Sequence, residues 1–116
     1  MPAPNLNFEA QRDADNFPFL VEPPDPTIDV GPNHILEMVN STFAVYDKHG
    51  ALLLGPVENN TVWQDFGVGS GDPATAVCAV SNAGDPIVQY DQLADRWLIS
   101  QFAFSGGAAG VPTGPY

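Results

Sequence analysis

The distribution of apolar positions divides the chain into an irregular opening, a middle rich in short β-compatible runs, and a Gly- and Pro-rich end. From residue 34 to 40, His-Ile-Leu-Glu-Met-Val-Asn is a strand-compatible run closed by Asn40-Ser41, and 42–47, Thr-Phe-Ala-Val-Tyr-Asp, is a second run rich in β-branched and aromatic residues. The pair reads as a hairpin. Lys48-His49-Gly50 supplies the next turn, and 51–54 starts a third strand that ends at Gly55-Pro56. A fourth, half-exposed outer strand is expected over 61–66, where polar residues alternate with Val62 or Trp63.

Further along, 67–85 is a loop rich in Gly and Asp, with a short apolar stretch at 75–80 that reads as a strand. A second hairpin is expected from 86–91 and 96–104 around the turn 92–95, with both strands largely buried. Residues 1–33 form an extended, proline-rich leader in which Phe8, Phe17, Phe19 and Leu20 can pin a lead-in strand onto the body. Residues 105–116 read as a linker-like tail that stops without a closing element. The fold class is therefore all-β, built of antiparallel meanders over 34–104.

Length and composition narrow this picture. The 116 residues suffice for one modest domain, and 44% apolar content permits a packed core. Twelve Pro and eleven Gly argue against long helices. Three basic residues, Arg12, Lys48 and Arg96, face fourteen acidic ones, for a net charge of -11. Such a surface disfavours nucleic acid and anionic membranes as partners and suits cations or neutral ligands, although a merely well-solvated exterior has the same composition. No apolar run approaches the roughly eighteen residues of a membrane helix. The N-terminus lacks the basic and apolar regions of a signal peptide. Cys78 has no partner for an internal disulfide and is either a small buried hydrophobe or half of a bridge to another chain or segment.

An imperfect repeat adds an architectural expectation. Gly31-Pro32-Asn33-His34-Ile35 and Ala83-Gly84-Asp85-Pro86-Ile87 each precede a strand, a turn and an aromatic-bearing strand, with Ile35 and Ile87 standing 52 positions apart. That offset is close to the roughly 40–50 residues of a propeller blade. Matching Tyr46-Asp47 to Tyr90-Asp91 gives a rival offset of 44.

The segments Pro23-Pro24-Asp25, Asp29-Val30-Gly31-Pro32-Asn33-His34, Met38 to Lys48, and Gly84 to Phe102 carry a family pattern. Over about residues 7–104 the chain resembles the propeller-like N-terminal region of large secreted bacterial proteins. The resemblance implies an exported or cell-surface location, a multidomain parent often joined to adhesion-type modules, and one to two blades of an incomplete β-propeller completed by other blades. Two features depart from the pattern. Pro26-Thr27-Ile28 follows Asp25 where relatives carry Thr-Asn-Gly. The turn Pro112-Thr113-Gly114-Pro115-Tyr116 arrives early, without the Cys-containing strand that would offer Cys78 a partner. The chain thus reads as truncated.

If Ile35 and Ile87 both begin inner strands, Asp25, Asp29, Asn33, His34 and Asp85 are candidates for a ligand site at the channel mouth. Asp29 and Asp85 could then contribute oxygen ligands to Ca²⁺, the one cofactor considered. The same two residues can equally stabilise turns through side-chain hydrogen bonds to the backbone. His34 and His49 match no metal motif, and the Gly67–Asp72 loop lacks the strand, helix and lysine of a phosphate loop. Trp63, Trp97, Tyr46 and Tyr90 suit either core packing or stacking against sugars. Asn40-Ser41-Thr42 and Asn59-Asn60-Thr61 match glycosylation acceptors but fit hairpin turns. The leading expectation is a non-catalytic extracellular interaction module binding surface glycan, protein or a structural cation. The alternative is a fragment of an exported sialidase-like or other propeller glycoside hydrolase, with Asp25 and Asp85 as its carboxylate pair.

Overall fold

The computed structural model describes residues 4–16, 21–67, 69–106 and 112–113. Expectations for Phe17, Phe19, Leu20, Val68 and most of the tail lie outside them. The protein is mostly β. A four-stranded antiparallel meander is formed by β1 (Thr27–Val30), β2 (His34–Val39), β3 (Thr42–Asp47) and β4 (Leu52–Glu58), in that spatial order. A separate two-stranded sheet pairs β5 (Ile87–Asp91) with β6 (Arg96–Ser100), and a third pairs the two-residue strands β7 (Ser105–Gly106) and β8 (Pro112–Thr113). One short helix, α1 (Pro73–Cys78), and two 3-10 turns, Asp13–Asn16 and Asn59–Trp63, complete the described elements. Among the described residues, no helix is long and apolar enough to cross a membrane.

Local chemistry explains the first hairpin. Asn40 adopts a φ of 52°, which Asn tolerates better than most residues, so a two-residue loop joins β2 to β3. Its buried amide then works at long range: Nδ2 donates to the carbonyls of Pro23 (2.6 Å) and Val21 (3.3 Å). On the other side, Asn59 Nδ2 donates to the Asn40 carbonyl, and the Asn59 N–H donates to that of Ser41, both at 2.9 Å. The turn is thereby keyed to the leader and to the end of β4.

Alternation along the strands assigns the two faces of the large sheet. Thr27, Asp29, Leu36, Met38, Phe43, Val45 and Val57 share one face, on which Leu36, Met38 and Phe43 pack with Val88, Trp97 and Ile99 of the β5–β6 sheet. Glu37, Val39, Thr42, Ala44 and Tyr46 share the other, which the leader covers. There the Gln11 N–H donates to Glu37 Oε2 (2.9 Å), Gln11 Nε2 donates to the Glu37 carbonyl (3.0 Å), and Phe8 packs on Tyr46 with ring centroids 5.4 Å apart. The large sheet is thus a middle layer, and Met38 and Ala44 are sealed completely.

Four expectations are corrected. The third strand does not end at Gly55-Pro56 but runs through them to Glu58, because Gly55, at φ 93°, makes a bulge in which a Cβ would lie 2.5 Å from the Phe43 carbonyl oxygen. Pro56 is tolerated there because β4 is an edge strand. Residues 61–66 form no strand. Asn59 is buried and bonded, and Thr61 Oγ1 donates to the Glu58 carbonyl (2.6 Å), so local side-chain bonds coil the chain into a 3-10 turn. The stretch 75–80 is likewise not a strand, since Pro73 starts a helical turn and Thr75 bonds back to Asp72 through both its N–H (3.2 Å) and its hydroxyl (2.8 Å). Finally, β5 and β6 are buried on one face only. Val88 is 4% exposed, whereas Ile87 and Leu98 remain 51% and 57% exposed, because no further layer of the described residues lies over their side.

Replacing Met38 with alanine deletes the central side chain of the middle layer. It is expected to lower unfolding stability by about 2–5 kcal/mol. Leu93→Ala, at a fully exposed turn position, should stay within about 0.5 kcal/mol. Urea unfolding followed by tryptophan fluorescence measures both.

Candidate functional site

The β5–β6 hairpin meets β1 through side chains in place of a backbone ladder. In β5 the odd-numbered residues exchange hydrogen bonds with β6, which leaves the N–H groups of Val88 and Tyr90 directed at β1. Thr27 Oγ1 accepts the first at 3.3 Å and Asp29 Oδ2 accepts the second at 2.8 Å. Asp29 Oδ1 meanwhile accepts the Val30 N–H at 2.7 Å. These two backbone donors, Tyr90 first and Val30 second, hold the Asp29 carboxyl below its ordinary pKa.

Where this junction ends, Tyr90 and Trp97 stand opposite each other on β5 and β6, with ring centroids 5.1 Å apart and planes tilted by 57°. They lean on the β1–β2 turn at Gly31. A Cβ on Gly31 would lie 2.9 Å from the Trp97 ring and 3.2 Å from that of Tyr90, so only glycine admits the pair this closely. The same turn is fastened by the Gly31 N–H, which donates to the His34 carbonyl (2.9 Å), and by Lys48 Nζ, which donates to the Gly31 carbonyl (2.8 Å).

A cleft of about 510 Å³ on the hairpin is lined by Asp29, Gln89, Tyr90, Asp91, Arg96, Trp97 and Leu98, of which Gln89, Asp91, Arg96 and Leu98 belong to the exposed face of the two strands. Asp91 Oδ1 accepts the N–H groups of Leu93 (2.9 Å) and Ala94 (3.0 Å), fixing the hairpin turn. The Tyr90 hydroxyl donates to Asp95 Oδ1. That bond, with burial and the charges of Asp95 and Asp91 behind it, pushes the Tyr90 phenol up to about 12. A smaller cavity of about 230 Å³ lies between Trp63, half-buried Cys78, Ile99 and Gln101.

Of the residues expected to form a site, only Asp29 lines this cleft. Asn33 and His34 are exposed at the β1–β2 turn, next to the Gly31 end of β1. Asp25 precedes the opposite end. Asp85 lies at that end too, since Gly84 abuts the Asn40 side chain that holds Pro23. The four residues of β1, roughly 13 Å of extended chain, therefore separate the two groups. Asp25 (φ 41°) and Asp85 (φ 50°) both occupy left-handed turn positions. Among the described residues no group of three or more His, Cys, Asp or Glu converges as metal ligands. Gln89, Asp91 and Arg96 escaped the sequence reading. Their only signal was an Asp and an Arg flanking a four-residue turn beside aromatic residues.

Comparison with protein-family models, curated proteins and solved structures finds no match for this chain.

The two shifted groups predict opposite pH responses. The Asp29 bonds stabilise the fold above the ordinary carboxylate range, near pH 3.9, and are lost as pH falls through the lower folded-state value. The stability gap between wild type and Asp29→Asn should therefore narrow in acid, as thermal melts across that range would show. Tyr90 holds its proton in the folded state beyond the ordinary value of 10.0, so its contribution is full below pH 10 and fades toward about 12. In Tyr90→Phe the loss of stability across that alkaline window should be shallower than in wild type.

Proposed function

We propose that the chain is a non-catalytic interaction module of a secreted or cell-surface bacterial protein, contributing one to two blades of a propeller-like stack. Its partners are a surface glycan or protein, or a structural cation, together with the remaining blades. The observation that carries this reading is the one-sided burial of the β5–β6 sheet. One face packs on β2 and β3 as a neighbouring blade would, while the other leaves Ile87 and Leu98 more than half exposed. Apolar side chains on such a face are commonly covered by a partner surface. Ile28, Val30 and Leu52 to Leu54 form a second set of exposed apolar positions, on β1 and the edge strand β4. The acidic surface and the resemblance of the 23–48 and 84–102 segments to exported proteins support an extracellular setting. The hydrolase alternative lacks a supporting arrangement, because Asp25 and Asp85 serve turns and Asp85 is exposed.

Sedimentation velocity is expected to show concentration-dependent association that strengthens as salt screens the net charge of -11 and weakens in Ile87→Lys. A monomer at every concentration, unfolding in one cooperative transition, would overturn the reading of that face as a seat for further blades. On a panel of glycosides the wild type should show no turnover. Hydrolysis that disappears in Asp25→Asn and Asp85→Asn, with the fold intact, would install the hydrolase reading in its place.

A further inference from the structure

We infer that residues 8–11 of the leader are a displaceable cap, and that the seat they cover receives the outer face of the β5–β6 hairpin of a second copy, stacking chains head to tail. The inference rests on the module reading and names its partner and the surface that receives it.

The fold repeats itself at the offset of 44, between the β3–β4 and β5–β6 hairpins. Tyr46-Asp47 recurs as Tyr90-Asp91, and each aspartate closes the turn that follows it through Oδ1. Asp47 accepts the N–H groups of His49 and Ala51, and Asp91 those of Leu93 and Ala94. The directly paired residues Val45 and Leu54 recur as the pair Gln89 and Leu98, each 44 positions on. The offset of 52 fails this comparison, because it sets Leu36 on Val88, which face each other across one core.

A repeat at 44 relates the faces of the two sheets as successive layers. Val88 and Tyr90, which sit against the large sheet, correspond to Ala44 and Tyr46, which sit under the leader. Phe43, Val45 and Leu54, on the face that carries the β5–β6 sheet, correspond to Ile87, Gln89 and Leu98 on the uncovered outer face. The chain thus has a second pair of matching faces, one at each end of its layers. They cannot meet within one chain, but they meet between copies, and a contact between two different faces propagates head to tail. Charge suits the pairing, since the outer face carries Arg96 and the seat carries Glu37.

The cap is held by few contacts. Leader residues 4–12 join no sheet. Gln11 is fixed by its two bonds to Glu37 and by accepting the Thr42 hydroxyl at 3.0 Å. Phe8 rests on Tyr46 and on Gly50, where a Cβ would lie 2.6 Å from the ring. Both leader side chains are only half-buried, whereas Ala44 and Tyr46 beneath them are 0% and 5% exposed. Displacing the cap therefore breaks a small set of local contacts and uncovers a buried apolar seat. Cap and second copy compete for that seat, so the affinity between copies is the affinity for an open seat reduced by the fraction of chains whose seat is open.

Sedimentation velocity on the full chain, with NMR dispersion as the check on folding, tests the assignment. Phe8→Ala and Gln11→Ala should each tighten self-association about tenfold and give species larger than dimers. Phe8→Ala/Ile87→Lys combines an open seat with a blocked outer face. It should stay monomeric alone yet bind wild type one to one, and Gln11→Ala/Ile87→Lys repeats the mixing with the Phe8 ring in place. Leader variants that associate no more tightly than wild type, association that ends at dimers, or double variants that fail to bind wild type would each overturn the inference. Wild-type association that weakens in Ile87→Lys but ignores the leader variants removes the head-to-tail seat alone. Chains that stay monomeric in every variant remove the outer-face reading along with it.

Discussion

Everything on the β5–β6 side of the protein depends on two side chains of β1. A strand pair has N–H groups on its outer edge that need acceptors, and β1 runs alongside that edge without entering a ladder with it. Thr27 and Asp29, two residues apart and hence on one face, present oxygens to Val88 and Tyr90, which are also two residues apart. The repeat of side chains along one strand thus matches the repeat of backbone donors along the other. With that junction made, Val88, Trp97 and Ile99 lie over Leu36, Met38 and Phe43, and Tyr90 and Trp97 reach Gly31.

The other end of β1 uses the same device with amides. Asn40, Asn59, Asn60 and Asn82 each bond backbone groups distant in sequence, joining the leader, the first hairpin, the turn after β4 and the segment before β5. Short strands and many prolines provide few ladder bonds, and buried amides, which carry both donors and acceptors, supply connections that the sheets do not. The arrangement also explains why so much apolar surface stays outside. The central strands of the middle sheet are covered on both faces, while its outer strands and the small sheet it supports are covered only in part.

Seen together, the cleft and the uncovered face are two outcomes of a single geometry. Tyr90 and Trp97 seat the far end of the hairpin on the β1–β2 turn, while its outer side, which carries Ile87, Gln89, Asp91, Arg96 and Leu98, lies under no other described element. The left-handed turns at Asp25 and Asp85 belong to the scaffold at the other end of β1.

The sequence by itself determined the β-rich class, the two hairpins and their turns, because turn geometry is a short-range property of residues such as Asn40 and of Asp91 to Asp95. It misplaced elements where short-range signals competed: Gly55-Pro56 resembled a strand end, 61–66 had strand alternation, and 75–80 had β-compatible residues. Side-chain bonds to the backbone, a bulge and a proline-led turn won there. Only the tertiary structure decided that the leader's strand is Thr27–Val30 and pairs with β2, that Asp29 serves a partner 61 residues away, and which face of β5–β6 is covered. Those outcomes depend on contacts between segments far apart in sequence, whose formation is fixed by how the layers close on one another and leaves no periodic trace along the chain.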